Sequence, residues 1–530
     1  MPTTVRWEVP VDLSPAEKRV AKALTRIGKF YVFLREIRHE LFDEAFQAEL
    51  AEAYAPRGEK PLPPALLAMV TLLQAYDKTG DADAVVTAEM DKRWQLVLGC
   101  LGAEDAPFSQ GALPQFRDRM IAHDLDKKLL TRTVEIAKRT GKFGWQHLKA
   151  ALDSSPLLGA GRVLDTWNLI GRALSTVVTC AAKVTGRPRA EIIAESKLTL
   201  STAPSLKTAL DIDWDDPLQR ADALDRLLGE VDRVEQWVAK HAAAHADAPA
   251  LQEALTALRR VLEQDLEPDP TTSGRRRIKR GVAKDRMPSL GDPEMRHGRK
   301  SKTKLFNGYK RHLMKLVGAG LTVAAEVFPA NRPEQEALSP LVEEVEQLGE
   351  LDELLFDRGY LGSPRIAELR ERGVALRCKP WPSRNGGRFT KEAFDLRLAD
   401  GLVVCPAGAT ARIAPESLMA RFPTATCAHC ELRGSCTMAK SKGRTIALHP
   451  QEELLIQLRR EVRTPDGRAA LRERTTIEHS LARLGRIQGP RARYRGARKN
   501  TLDTRRCAAV DNLQTLARMR EAAGISCSAL

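Results

Sequence analysis

The sequence predicts a mixed α/β fold built from several folding units, and three observations support this. The chain has 530 residues, more than one ordinary domain contains. Apolar residues make up 43% and charged residues 29%, values typical of soluble, folded proteins. Helical periodicity covers two long regions, and each is followed by short apolar runs typical of buried strands. We therefore expect a sheet-containing core that helical regions precede and interrupt.

Residues 1–142 are predicted to form an N-terminal helical domain. The run Pro64–Tyr76 begins with proline and has apolar residues at helical spacing, and a second helix is expected over Ala82–Leu98. Ser109 has the side chain of an N-cap for a further helix. A bundle of small helices suits DNA binding, and a purely structural domain fits the same pattern.

The periodicity changes at residues 143–165, where the core is expected to begin. The run Leu148–Leu152 is typical of a short buried strand, and Asp153 closes it before the turn-forming residues Ser154, Ser155 and Pro156. The core is expected to continue over residues 275–400, with strand-like runs at Leu305–Val317, Leu321–Phe328 and Leu354–Phe356.

A long helical insertion is predicted between these two parts of the core, over residues 166–274. Apolar residues step by threes and fours along Leu224–Val238 and again along Leu251–Leu266. This spacing predicts an extended antiparallel pair of helices. The stretch Pro268–Gly274 has the composition of a linker.

The net charge of +15 favours contact with a polyanion, chiefly the phosphate backbone of nucleic acid. Residues 275–304 hold twelve Lys or Arg against three acidic residues, and residues 486–499 hold six basic residues and no acidic one. Each segment is either a nucleic-acid track or a solvated loop, and Tyr494 either stacks on a base or packs locally. The residues predicted to contact DNA are Arg299, Lys300, Lys304, Lys310, Arg474, Arg486, Arg493, Tyr494, Arg495, Arg498 and Lys499.

Three acidic residues are candidates for a metal site that cuts phosphodiester bonds. Two Mg²⁺ ions roughly 3.5 to 4 Å apart activate the attacking oxygen and stabilise the leaving one, and a few carboxylates on rigid elements suffice to hold them. Asp153 and Asp357 each close a strand-like run, and Glu478 lies beside the apolar stripe of a predicted helix over residues 471–484. Arg474, one turn earlier, can contact Glu478 or a DNA phosphate. Taken singly, such an Asp is more often a turn former or helix cap than a metal ligand, and a helical Glu more often faces solvent and pairs with an arginine. The significance of the three acids comes from their combination.

Four cysteines, Cys405, Cys427, Cys430 and Cys436, are predicted to bind a metal in a small insertion over residues 401–445. Their spacing, C-x21-C-x2-C-x5-C, suits a tetrahedral Zn²⁺ site, and a segment with little core would gain its fold from the metal. An iron–sulfur cluster and unmetallated cysteines remain alternatives, and His429 can replace one ligand. The other five cysteines are interpreted as ordinary residues: Cys100, Cys180, Cys378, Cys507 and Cys527.

The sequence argues against a membrane or secreted protein. No apolar run approaches the roughly 20 residues of a membrane span, and residues 1–10 lack the apolar segment of a secretory signal. We therefore expect a cytoplasmic protein whose thiols stay reduced.

Several blocks resemble those of the DDE transposases of bacterial insertion sequences, and they occur in the family's order. They cover most of the chain from Asp153 to Asn512. The blocks are Ala151–Gly161 for the first aspartate, Asp292–Lys300, Phe306–Lys310, Pro329–Asn331, Phe356–Tyr360 for the second aspartate, Arg474–His479 for the glutamate, and Arg493–Lys499. Residues 446–520 would then form the C-terminal part of the core that carries the glutamate, and residues 521–530 a tail.

The resemblance implies a ribonuclease-H-like core in which Asp153, Asp357 and Glu478 bind two divalent metals, Mg²⁺ with Mn²⁺ as a substitute. It implies an enzyme that binds the ends of an insertion sequence, cleaves the DNA by metal-assisted hydrolysis and joins the 3′-hydroxyl ends to target DNA. The implied partners are double-stranded DNA, as terminal inverted repeats and as target, and further copies of the chain in a homodimer or larger assembly.

The chain departs from one related group, whose third acid lies in a signature of Tyr, Arg, Glu and Lys. It has Leu471 at the tyrosine position and Arg486 near the lysine position, so the residues that hold the DNA end differ. Glu461 and Glu473 are less favoured alternatives to Glu478. A non-transposing nuclease with the same core, or an inactive DNA-binding protein derived from a transposase, would explain the same motifs.

Overall fold

The computed structural model describes residues 5–8, 10–24, 27–54, 60–139, 145–203, 205–301 and 303–524. Cys527 therefore lies outside the described residues. Within those ranges, no helix combines the length and the apolar character that a membrane span requires.

The N-terminal region is helical, as predicted. Its central helix, α4, is buried along nearly its whole length and begins at Pro64, whose ring suits the first turn of a helix. The helices are α1 Pro15–Ala23, α2 Lys29–Leu41, α3 Glu44–Glu52, α4 Pro64–Asp77, α5 Asp81–Met90, α6 Lys92–Leu98, α7 Ala112–Ala122 and α8 Leu125–Arg139.

Two predictions about these helices are wrong. The helix expected over Ala82–Leu98 is divided at Asp91, which follows α5 and whose carboxylate accepts a hydrogen bond from the Arg93 amide at the start of α6. Ser109 does not cap α7, because that helix begins at Ala112 and Ser109 contributes only its backbone carbonyl to the preceding turn. Short polar side chains can hydrogen-bond to the nearby backbone and so interrupt a helix that the apolar pattern predicts to be continuous.

The first core strand, β1 His147–Leu158, leads into a helical insertion with a hydrophobic core of its own. The predicted antiparallel pair is wrong, because α12 and α13 both pack against α9 in a bundle. The predicted linker forms the loop of a hairpin that continues beyond residue 274. The insertion consists of α9 Thr166–Thr185, α10 Arg189–Glu195, α11 Leu206–Leu210, α12 Pro217–His241, α13 Pro249–Asp265, β2 Leu266–Pro268 and β3 Arg276–Ile278.

The chain then returns to the core, where the strands match the expected apolar runs and β7 is longer than expected. These elements are β4 Arg296–Arg299, β5 Leu305–Leu316, β6 Leu321–Pro329, α14 Leu338–Glu346, β7 Glu350–Phe356, α15 Arg365–Glu371 and β8 Ala375–Cys378.

In the central sheet, β1 lies between an antiparallel neighbour, β5, and a parallel neighbour, β7. β8 continues the sheet parallel to β7, and β6 pairs antiparallel with β5 on its other side. β4 pairs with the first residues of β5. The order β6-β5-β1-β7-β8, with these directions, confirms the predicted ribonuclease-H-like core.

A small antiparallel sheet follows, which we call the cysteine module and define as residues 389–448. Its strands run in the order β13-β12-β11-β10-β9, and it starts earlier and ends later than the predicted insertion at 401–445. Its elements are β9 Asp395–Arg397, β10 Leu402–Val404, β11 Thr410–Ala414, β12 Met419–Arg421, α16 Thr424–Ala428, α17 Arg433–Cys436 and β13 Thr445–Ala447.

After the cysteine module, the described residues up to 524 form four helices that return to the central sheet: α18 Glu452–Glu461, α19 Pro465–Glu473, α20 Thr475–Gln488 and α21 Ala497–Ala522. α21 packs against β6 and against α4 and α8, so the N-terminal helices and the central sheet share one hydrophobic core.

A buried ion network fastens α21 to this shared core. Arg505, 5% exposed, donates hydrogen bonds to Asp126 of α8, to Glu326 of β6 at 2.6 Å and to Glu344 of α14 at 2.9 Å. Burial raises the pKa of Glu344 to about 7, and the Arg505 charge opposes that rise. One guanidinium therefore joins carboxylates from three elements of the core.

Replacing Arg505 with methionine is expected to destabilise the protein by about 3–5 kcal/mol, because it leaves buried carboxylates without their cation. Denaturant unfolding monitored by far-UV circular dichroism measures this loss. The matched control is Arg518→Met on the same helix, since exposed Arg518 contacts only its own helix and should change stability by less than about 0.5 kcal/mol. Equal stability of the two variants would contradict a supporting role for the network.

Candidate active site

Asp153 and Asp357 lie side by side on neighbouring parallel strands. Leu152 pairs with Phe356, so the two aspartates follow at the same level of β1 and β7, on strands that lie about 4.8 Å apart. Asp357 follows the last residue of β7, as predicted, and its carboxylate accepts a hydrogen bond from the Arg358 amide at 2.8 Å. Two acids from distant parts of the chain therefore meet at the end of one strand pair.

The prediction that Asp153 ends a strand is wrong. β1 continues to Leu158, because Ser154, Ser155 and Pro156 still pair with β5 after β7 has ended. From Asp153 to Leu157 the strand pairs with β5 on one side only, and at Leu158 the segment around Arg491 pairs with it on the other side. Proline is tolerated at Pro156 because no ladder hydrogen bond is needed on the open side. The open side of β1 forms one wall of a cleft.

Glu478 reaches this cleft from α20. Ile477, Leu481 and Leu484 are buried, so the predicted apolar stripe does face the core, while the Glu478 side chain is 52% exposed. The predicted single helix over residues 471–484 is wrong, since α19 ends at Glu473 and α20 begins at Thr475, and Leu471 belongs to α19.

Two buried cations of β5 hold α20 against the sheet. The Arg311 guanidinium donates to Ser155 of β1 and to Gln488 at the end of α20, each at 2.7 Å. Lys315 donates to the Ser480 hydroxyl at 2.7 Å, and burial lowers the pKa of this lysine to about 8. These contacts fix the rotation of the helix that carries Glu478.

Arg474, at the break between α19 and α20, bridges two of the acids. Its Nη1 donates to Asp153 Oδ2 at 2.9 Å and its Nη2 donates to Glu478 Oε1 at 2.8 Å. The Arg474 guanidinium therefore lies between the carboxylates of Asp153 and Glu478. This placement indicates that the position between them favours a positive charge.

The surroundings of the Asp153 carboxyl disfavour its negatively charged form. Burial raises the pKa of Asp153, and the adjacent negative charge of Asp357 raises it further. The Ser154 amide, which donates to Asp153 Oδ1 at 2.7 Å, and the Arg474 charge act in the opposite direction. A nearby cation such as Arg474 therefore favours the ionised form of Asp153.

A neutral pair of side chains supports the turn that carries Asp357. His312 Nδ1 lies 2.7 Å from the Tyr360 hydroxyl, and both side chains are buried. Burial lowers the pKa of His312 to about 3 and raises the pKa of Tyr360 well above its ordinary value. The pair is therefore uncharged at neutral pH.

The cleft has a volume of about 490 Å³ and contains a fourth acid that the sequence patterns did not reveal. Glu334 accepts a hydrogen bond from the Ser154 hydroxyl at 2.7 Å. It also covers the turn after Asp357, where a Cβ on Gly359 would lie 2.0 Å from Glu334 Oε2. Glu334 thus contacts the chain beside both aspartates.

Three predicted DNA-contacting residues, Arg299, Lys300 and Lys310, line the same cleft as the acids. Arg299 and Lys300 are exposed at the end of β4, and the Lys310 ammonium lies 3.9 Å from Glu334. Carboxylates and cations therefore line one cleft together.

The acids offer hard oxygen ligands of the kind that Mg²⁺ prefers, so the residues present suit a divalent metal. In the structure the three acids are not arranged around one metal position, because the Arg474 guanidinium lies between Asp153 and Glu478. Within the described part of the chain, only His147, Glu350 and Asp352 bring three ligand atoms of His, Cys, Asp or Glu within 4.8 Å of one another. That exposed group lies where β1 and β7 begin, at the other end of the strand pair from Asp153 and Asp357.

Three models of transposase families match successive parts of the chain. Residues 21–119 match a transposase domain (DUF772), residues 269–391 match a transposase DDE domain, and residues 404–517 match a second transposase DDE domain. The chain belongs to the DDE transposases of insertion sequences. No curated protein and no solved structure matches it.

The matched segments of this transposase hold two of the three candidate acids. Asp357 lies within the first DDE match and Glu478 within the second. Asp153 and the helical insertion lie between the matched segments, so the assignment of Asp153 depends on its position beside Asp357 in the sheet.

The other predicted DNA contacts of the transposase lie away from the cleft, except Arg474. Lys304, Arg486 and Arg495 are exposed. Arg493 donates to the Thr79 carbonyl, and Arg498 and Lys499 form ion pairs with acids of the N-terminal helical region.

Tyr494 adopts the second of its two predicted environments and packs locally. Its ring lies between Arg117 and Arg506, whose guanidinium carbons are 5.5 and 5.6 Å from the ring centre. The basic segment that carries it thus joins the N-terminal helices to the core.

The four cysteines of the predicted metal site line one cavity of about 530 Å³ in the cysteine module, together with His429. Burial raises the pKa of the Cys436 thiol, and Cys427, Cys405 and Cys430 are close enough to raise it further. No three of the sulfur atoms lie within 4.8 Å of one another. The remaining described cysteines are free thiols in other parts of the chain.

Sequence reasoning missed Glu334 and Ser154 as parts of the cleft. Glu334 follows Pro333 in a polar turn after β6, where an acid is common and has no distinguishing spacing. Only the pairing of β1 with β7 shows that this turn lies beside the aspartates.

Proposed function

We propose that this transposase cuts DNA at the ends of its insertion sequence and joins the freed 3′-hydroxyl to target DNA, with Asp153, Asp357 and Glu478 as ligands of two Mg²⁺ ions. The observation that carries the proposal is the cleft in which these three acids face Arg299, Lys300 and Lys310. Such a cleft suits a polyanionic substrate whose reacting phosphate must lie beside metal ions.

The chemistry expected of the bound ions is activation of the attacking oxygen and stabilisation of the leaving oxygen. The protein supplies their positions: β1 and β7 hold Asp153 and Asp357, and the anchored α20 holds Glu478. Because the two aspartates are fixed by strand pairing, little reorganisation is needed at that side of the site.

We further propose that Arg474 leaves the carboxylates when metal binds and contacts a DNA phosphate. In the structure it neutralises Asp153 and Glu478, a task that the metal ions would take over. A guanidinium suits phosphate through paired hydrogen bonds. The side chain would then hold the DNA beside the acids that it now bridges.

Element-end DNA and target DNA are the proposed partners, with a homodimer or larger assembly of the chain on the DNA. A non-transposing nuclease would share the metal site but would give cleavage products without joined products. Separate assays for nicking and for strand joining on one labelled substrate distinguish the two, and nicking without any joining would reject transposition.

Asp357→Asn is expected to reduce Mg²⁺-dependent nicking at least about 1000-fold, because metal-assisted charge stabilisation contributes several kcal/mol and each 1.4 kcal/mol is a factor of ten. DNA affinity and thermal stability should be retained. The control is Asp352→Asn on the same strand, whose exposed side chain pairs with His147 away from the cleft. Nicking by Asp357→Asn at the rate of the control would reject the assignment.

We also propose that Glu334 strengthens metal binding as a fourth carboxylate. Glu334→Gln removes one negative charge and should raise the Mg²⁺ concentration for half-maximal nicking about tenfold, equivalent to about 1.4 kcal/mol. Glu336→Gln in the same turn is the control, because Glu336 pairs with Arg332. Mn²⁺ binding measured by electron paramagnetic resonance gives a second result, and equal Mn²⁺ affinity of the two variants would contradict the proposal.

The paired substitution Arg299→Ala and Lys300→Ala is expected to weaken binding to all DNA sequences. Each lost phosphate contact should reduce the slope of log affinity against log salt by about 0.9, so the double variant should lose about 1.8. Fluorescence anisotropy across a salt series measures the slope. Arg226→Ala with Lys240→Ala, two exposed cations of α12, is the matched control. An unchanged slope would exclude these residues from the DNA path.

A further inference from the structure

We infer that Cys405, Cys427, Cys430 and Cys436 bind one structural Zn²⁺ ion that stabilises the cysteine module. The inference is independent of the proposed DNA chemistry, since the module has its own sheet and its own small core.

The four thiols come from three separate places in the module and converge on a single cavity. Cys405 follows β10, Cys427 lies in α16, Cys430 follows that helix, and Cys436 is the last residue of α17. A chance distribution of four cysteines over these elements would not direct all four to one cavity. The convergence therefore indicates a shared ligand.

The backbone around the first thiol forms a tight turn. The Cys405 amide donates to the Ala409 carbonyl and the Gly408 amide donates to the Cys405 carbonyl, each at 2.8 Å. Gly408 has a φ of 82°, a left-handed conformation that suits glycine. The turn presents Cys405 at a sharp reversal of the chain.

The C-x2-C pair lies in a second turn. The Cys430 amide donates to the Cys427 carbonyl at 3.4 Å, and the Arg433 amide donates to the Cys430 carbonyl at 3.0 Å. Two cysteines with two residues between them, held by one turn, form the ligand spacing that recurs in structural zinc sites.

Positive groups surround the cavity, as a site with four thiolates requires. The Arg444 amide donates to Cys427 Sγ at 3.4 Å, and the side chains of Arg433 and Arg444 line the cavity. Four thiolates around Zn²⁺ carry a net charge of −2. The two arginines, together with Glu431, which also lines the cavity, place a net charge of +1 beside it and offset part of that charge. Such donors beside metal-bound sulfur stabilise the deprotonated ligand.

The sulfur atoms must still move together to bind one ion, because no three of them lie within 4.8 Å of one another. A change of one χ1 rotamer moves a cysteine sulfur by about 3 Å, so the turns can remain as they are. The four cysteines are free thiols, so no disulfide opposes this movement.

The small hydrophobic core of the cysteine module favours stabilisation by a bound metal. Its strands are three to five residues long, and its core consists of six buried apolar residues: Phe394, Val403, Ala411, Ala420, Phe422 and Ile446. So small a core contributes little stability, and proteins of this size commonly depend on a bound metal.

The test is the metal content of the purified full-length chain, measured by mass spectrometry, together with its absorption spectrum after Co²⁺ substitution. We expect about one zinc per chain and, with Co²⁺, the intense sulfur-to-metal band and visible bands of a tetrahedral thiolate site. Cys427→Ser and Cys430→Ser should each lose the metal, whereas Cys180→Ser in the helical insertion should retain it.

Proteolysis and chelation provide a result that does not depend on the folding of any variant. Removing zinc from the natural chain should expose residues 389–448 to protease while the central sheet remains protected. A chain that takes up no zinc or cobalt, or cysteine variants that retain as much metal as Cys180→Ser, would overturn the inference. Iron with acid-labile sulfide in place of zinc would also overturn it, as would loss of metal in His429→Ala with retention in Cys436→Ser.

Discussion

The parallel pairing of β1 with β7 is the constraint on which the candidate active site depends. It sets Asp153 beside Asp357, two like charges that burial and proximity make unfavourable together. β7 then ends while β1 continues, and this difference in length opens the cleft on one side of β1. A cation is needed at that point, and in the structure the Arg474 guanidinium supplies it.

The rest of the core holds the elements around that pair. Arg311 and Lys315 attach α20 to the sheet through buried hydrogen bonds, which directs Glu478 to the cleft. Arg505 attaches α21 to three carboxylates, one of them on the N-terminal helix α8. The N-terminal helices therefore support the central sheet directly and share its core.

The two additional segments of the chain behave differently from these helices. The helical insertion and the cysteine module each enclose a separate hydrophobic cluster. They also separate the acids along the sequence, since the insertion follows Asp153 and the module lies between Asp357 and Glu478. An arrangement of this kind lets large segments be added without disturbing the strand pairing that positions the aspartates.

The sequence by itself determined the family, the mixed α/β class and the apolar runs that became β5 and β6, because the order of the motifs along the chain and the residues around them are local features. The roles of the three acids stay a prediction. It did not determine where α19 ends, since the break at Arg474 depends on contacts with Asp153 and Glu478. Nor did it show that Glu334 lies in the cleft or that Tyr494 packs between Arg117 and Arg506. Only the tertiary structure decided these points, because each arises from side chains that strand pairing and helix packing bring together from parts of the chain far apart in sequence.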